Sequence, residues 1–104
     1  MIADEVLTGL GRTGKMWSVE HYGVVPDILV AGKNLSGGIE ACAGVATRDD
    51  ILGDTPRASA GSTFAGTPAG CAAALKTLEI YERDNILAHA NQLAELAADA
   101  MADW

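Results

Sequence analysis

Apolar residues come in short runs along the first half of the chain and at helical spacing along the last third. The opening Met1-Ile2-Ala3-Asp4-Glu5-Val6 is apolar with acids near its end, and Ile28-Leu29-Val30-Ala31-Gly32 is an unbroken apolar or small stretch after Pro26. Such runs, bounded by glycine and proline, predict short buried strands over residues 1–7 and 27–32. Between them, Thr8 to Lys15 (TGLGRTGK) is a glycine-punctuated loop, and Met16 to Tyr22 reads as one short helix ended by Gly23. A third strand is predicted over 41–46, then a helical turn over 49–52 and a Gly/Ser/Thr/Ala loop over 53–66. There the period changes. Thr67-Pro68 offers an N-cap followed by proline at the first helical position, and Cys71, Ala72, Leu75, Leu78 and Tyr81 recur on one stripe up to Arg83. From about Asn85 a second helix carries Ile86, Ala90, Leu93, Ala97 and Met101 on one face. The predicted order is β-α-β-β followed by two helices, an α/β arrangement.

Three short strands cannot easily cover two long amphipathic helices as well as themselves. The layout is therefore expected to be an internal segment of a longer protein. With 49% hydrophobic residues among 104, the chain is a folded segment and not a disordered one. The net charge of −7 argues against a nucleic-acid surface, the one basic cluster being the short Arg12 to Lys15. No run is long enough to span a membrane, and Asp4 and Glu5 stand where a signal peptide carries basic residues. Cys42 and Cys71 fit no metal spacing; in alanine-rich surroundings they are expected to be buried thiols of a reducing, cytoplasmic compartment.

Candidate chemistry begins with Lys33, at the end of the second apolar run. A lysine at the mouth of a buried strand is partly desolvated, which favours the neutral amine that carbonyl chemistry needs. The alternative, open on this stretch alone, is an ordinary solvated lysine leaving a strand end. The first run also ends in an acid. Two parallel strands would bring both ends to one rim, where open α/β sheets bind ligands. A buried carboxylate facing a lysine there suits pyridoxal phosphate: the lysine holds the aldehyde and the acid pairs with the ring nitrogen.

Two glycine loops compete for attention. Gly9-Leu10-Gly11-Arg12-Thr13-Gly14-Lys15-Met16 nearly matches a P-loop, but Met16 stands where a magnesium-binding hydroxyl is required. A small nucleotide-binding module is thus an alternative of another class. Gly61-Ser62-Thr63-Phe64-Ala65-Gly66, just before a helix, can bind an anion or can simply cap that helix. His21 and His89 lack partners at metal or triad spacing, and Trp17, Tyr22 and Trp104 read as packing residues.

Taken together, IADEVLTGLGRTGKMWSVEHYGVVPDILVAGKNLSGG, GSTFAGTP and CAAALKTLEIYERDNIL resemble the class III pyridoxal-phosphate aminotransferases, the group of ornithine, acetylornithine and 4-aminobutyrate aminotransferases. The resemblance covers nearly the whole chain. It implies the large domain of a fold-type I enzyme over residues 1–66, with helices leading towards the small C-terminal domain over 67–104. It implies that Lys33 is the Schiff-base lysine and the proton-transfer catalyst, that Asp4 pairs with the pyridine nitrogen, and that Val6 packs on the cofactor ring. It implies that Ser62 and Thr63 reach the cofactor phosphate of a second subunit, so that a homodimer shares its sites. The substrates implied are an amino-acid or omega-amine donor and a 2-oxo acid. The rest of the phosphate cradle and the substrate-reading residues are expected outside these 104 residues, which alone are then not expected to turn over. Three departures stand out: Leu7 where many members carry glutamine, Thr67 within Gly66-Thr67-Pro68, and Asn34-Leu35-Ser36 after the lysine. An apolar residue at the position of Leu7 also occurs in the aminomutase branch, so an epimerase or aminomutase of the same fold is the alternative within the class.

Overall fold

The computed structural model describes residues 1–53 and 66–102. Three strands, β1 (Ile2–Asp4), β2 (Ile28–Ala31) and β3 (Gly44–Thr47), form one mixed sheet in the order β1-β2-β3. β1 and β2 run parallel, with Asp4 opposite Val30, and β3 returns antiparallel, with Ala31 opposite Gly44. The α1 turn (Asp49–Leu52) and the long helices α2 (Pro68–Arg83) and α3 (Ile86–Met101) follow, completing the predicted order.

β1 is shorter than the 1–7 expected. Asp4 Oδ1 accepts the Val6 amide at 3.1 Å and the Glu5 carbonyl accepts the Gly9 amide at 2.9 Å, so the chain turns off the sheet as soon as Asp4 has paired. The expected helix over 16–22 is a 3-10 helix, Ser18–Tyr22, closed by Gly23 in the left-handed region at φ 62. Thr67 caps α2 as its sequence predicts, its hydroxyl accepting the Gly70 amide at 3.1 Å, with Pro68 in the first turn.

The inward face of α2 is rotated from the one expected. Gly70 is buried and Ala73, Ala74, Thr77, Leu78 and Tyr81 are half-buried, whereas Cys71, Ala72 and Leu75 are exposed. The cause is the seat of the helix on the 3-10 turn Lys33–Ser36. A Cβ at Gly70 would lie 3.1 Å from the Ala41 carbonyl, and one at Gly37 would lie 2.9 Å from Thr77 Oγ1. Close approach selects the small residue, and one step of helical rotation then turns Cys71 outward. The expectation of two buried thiols therefore fails: Cys71 is exposed and Cys42 half-buried, both free.

The core is slight. Among the described residues only Ala3, Leu10 and Ala31 are buried hydrophobics, while Leu75, Leu96 and Met101 are each about two-thirds exposed. The radius of gyration, 16.1 Å, exceeds the roughly 13 Å of a compact chain of this length.

Candidate active site

The C-terminal ends of β1 and β2 lie side by side. Past Asp4 the Glu5 amide still donates to the Val30 carbonyl at 2.9 Å, so the parallel ladder carries both chains to the same rim. Asp4 ends one strand there, and Lys33 follows the other by two residues. Val6 bridges them. A Cβ built on the intervening Gly32 would sit 3.4 Å from Val6 Cγ1, ordinary van der Waals contact between the turn after β1 and the residue preceding the lysine.

Lys33 itself has φ 49, the left-handed region that an L-residue enters at a cost of roughly 1–2 kcal/mol. A short turn holds it there. The Leu35 amide donates to the Gly32 carbonyl at 3.1 Å and the Gly37 amide to the Asn34 carbonyl at 2.9 Å. Ser36, fully buried, donates its hydroxyl to the Glu40 carbonyl.

Two expectations need correction. Lys33 is exposed, not partly desolvated, because no described residue covers the rim above it. The buried carboxylate is not Asp4, which is exposed, but its neighbour Glu5, only 3% exposed. Alternation explains the exchange: successive side chains leave an extended chain on opposite sides, so Asp4 and Glu5 cannot both face the rim. Glu5 instead accepts the Thr8 hydroxyl and the Val19 amide, the latter at 2.9 Å. Burial pushes its carboxyl up, but the hydrogen bonds from Thr8 and from the amides of Val19 and Ser18 outweigh this and hold it below the usual glutamate range.

Ser62 and Thr63 lie outside the described residues. The P-loop-like segment is a structural loop. The amides of Gly9, Gly11 and Gly14 donate to the carbonyls of Glu5, Met16 and Gly11, so they do not converge on a phosphate. Its own carbonyls receive the Tyr81 hydroxyl at Leu10 and the Asn91 amide group at Gly14. His21 reaches the Thr13 carbonyl from an exposed position, and no metal-binding cluster occurs among the described residues. Nor is any helix among them long and apolar enough to cross a membrane.

The family model for class-III aminotransferases matches residues 1–103. The chain belongs to that family. Relatives include an ornithine aminotransferase of Bacillus cereus, 44% identical over 90% of this chain, and a 4-aminobutyrate aminotransferase of Escherichia coli, 39% identical over 97%. The chain spans 24% of the length of each. Among solved structures, an ornithine aminotransferase of Toxoplasma gondii, described with partial occupancy of PLP at its active site, superposes with a TM-score of 0.88. It is 36% identical over 96% of this chain, which covers 24% of it. The α/β strands and helices described above are thus a segment of a pyridoxal-phosphate aminotransferase fold, and pyridoxal phosphate is the family's cofactor. The residues present fit it: an amine and a carboxylate on one rim, with a branched apolar side chain at the glycine beside the amine.

Proposed function

We propose that the whole protein of this class-III aminotransferase transfers an amino group from an amino-acid or omega-amine donor to a 2-oxo acid. The observation that carries the reading is the delivery of Asp4 and Lys33 to one rim by two hydrogen-bonded parallel strands. When bound, pyridoxal phosphate supplies an aldehyde that accepts the amino group and a ring that takes up the electron pair left when the donor's C–H bond breaks. The Lys33 amine, Nζ, would hold the cofactor through its aldehyde and, once freed by the donor, would serve as the base and acid that move the proton taken from the donor's amine-bearing carbon. The Asp4 carboxylate keeps a proton on the ring nitrogen. One bond to the Val6 amide leaves it ample lone-pair capacity to do so. Val6 would pack against the cofactor ring, and Ser62 and Thr63 would bind the phosphate of a second subunit in a homodimer. Residues 1–66 then belong to the cofactor-binding domain, and α2 and α3 lead towards the small one. Two free cysteines accord with a reducing, cytoplasmic setting.

The apolar Leu7, unable to donate a hydrogen bond, leaves an epimerase or aminomutase of the same fold as the second reading. Product analysis with a single substrate separates the two, since an isomerase needs no 2-oxo acid. The main reading is tested by borohydride reduction of the cofactor-loaded whole protein followed by peptide mapping. The cofactor is expected on Lys33, and a label on Lys15 or Lys76 overturns the assignment.

A further inference from the structure

Glu5 is the only charged residue among those described that is buried, and the chemistry assigned above does not use it. It sits between the two residues placed at the cofactor ring, Asp4 and Val6, yet its side chain leaves on the opposite side. Every polar group it owns is engaged. Its amide donates to Val30 and its carbonyl accepts from Gly9, each at 2.9 Å. One carboxylate oxygen accepts the Val19 amide at 2.9 Å, and the other accepts the Thr8 hydroxyl. One residue therefore ties the end of β1 to β2, to the glycine loop and to the 3-10 helix Ser18–Tyr22.

The turn that begins at Asp4 has no strand partner beyond the Glu5 amide. Within it the Val6 amide donates to Asp4 Oδ1 and the Gly9 amide to the Glu5 carbonyl, Arg12 Nε donates to the Leu7 carbonyl at 2.9 Å, and the Glu5 carboxylate adds the Thr8 hydroxyl inside the turn and the Val19 amide beyond it. Without that carboxylate, the Val19 amide and the Thr8 hydroxyl lose a charged acceptor in a buried place, and the turn relaxes to find others. A shift of about 1 Å at a reacting group is enough to cost a large part of the rate.

We propose that Glu5 is the positioning residue for Asp4 and Val6: its buried carboxylate locks the turn after β1 so that both stay aimed at the cofactor ring. The role rests on the function proposed above, because it acts through Asp4. It predicts coupling and not mere stability. Were Glu5 only a support of the fold, its loss would lower the folded fraction and leave the folded molecules' turnover and cofactor spectrum unchanged.

The test uses the cofactor-loaded whole protein carrying Glu5→Gln, Asp4→Asn, both together, and Thr8→Val. Glu5→Gln keeps the shape and removes the charge. It is expected to lower kcat about tenfold with the donor KM changed less than about twofold, and to move the cofactor absorption band in the same direction as Asp4→Asn. In the Asp4→Asn background its further effect should be less than about twofold. A kcat within about twofold of wild type for Glu5→Gln, or effects that multiply in the double variant, overturn the role of Glu5. Should Glu5→Gln not fold, Thr8→Val, which withdraws one donor from the same carboxylate, is compared with Asp4→Asn in the same way and by the same criterion. An unchanged kcat in Asp4→Asn alone overturns the Asp4 assignment and this proposal with it. A large loss there with multiplying effects overturns the part played by Glu5 only.

Discussion

The Tyr81 hydroxyl donates to the Leu10 carbonyl at 2.9 Å across 71 residues of sequence. Leu10 is only 4% exposed and has φ 56, so its carbonyl is presented by a strained turn in a place with little water. This bond, with Asn91 on Gly14, seats α2 and α3 on the glycine loop. Tyr81→Phe keeps the ring and removes the donor. The whole protein is expected to lose about 1–3 kcal/mol, the usual consequence of leaving a buried acceptor unpaired, read as a lower urea midpoint with an unchanged slope. A midpoint equal to wild type would show that water replaces the phenol there.

The left-handed backbone of Lys33 gives a second test. Glycine enters that region freely and alanine does not. Both Lys33→Gly and Lys33→Ala remove the amine, and both are expected to abolish amino transfer. Their stabilities should differ: the glycine variant is expected to be more stable by about 1 kcal/mol, less the larger chain entropy it gives the unfolded state. Equal stabilities would mean that φ at this position relaxes once the side chain is gone.

Much of this was legible in the sequence, for identifiable reasons. Element order followed from apolar runs and period changes, and Thr67-Pro68 marked the start of α2 because a capping hydroxyl and a proline each have one preferred place there. That the ends of β1 and β2 share one rim followed from the reading of two parallel strands. The extent of β1 was not legible, because an Asx turn and a continuing strand look alike until the Val6 amide is seen to choose Asp4 Oδ1. The buried face of α2 was missed because hydropathy favours leucine, whereas packing against Ala41 and Gly37 selected Gly70 and Thr77. Glu5 was overlooked because an acid beside an acid reads as a polar strand end. Only its partners, Thr8 and Val19, reveal that it faces inward.

Asp4 should separate turnover from binding. A carboxylate on the ring nitrogen matters most when negative charge develops on the ring, after substrate has bound. Asp4→Ala in the whole protein is expected to lower kcat by about ten- to a hundredfold, the worth of one charge-assisted hydrogen bond, with a much smaller change in donor KM. Steady-state kinetics at saturating 2-oxo acid provide the check, and near-normal kcat would sink the assigned role.

Glu5 should also set part of the acid limb of stability. Its carboxyl lies below the usual glutamate range in the folded state, so unfolding takes up a proton between the unfolded value, about 4.3, and the lower folded one. The stabilisation is complete above about pH 4.3 and is lost as pH falls through the folded value. Several exposed carboxyls are lowered too: Asp50 by Arg48, Glu79 by Lys76 and Asp84 by Arg83. Their pairs stand in water and are screened by salt, whereas the Glu5 bonds are buried. In about 1 M salt the exposed pairs should contribute little, and the remaining fall in urea midpoint between about pH 6 and pH 3.5 should be smaller in Glu5→Gln than in wild type. Parallel curves for the two proteins would mean that another carboxyl carries the acid limb.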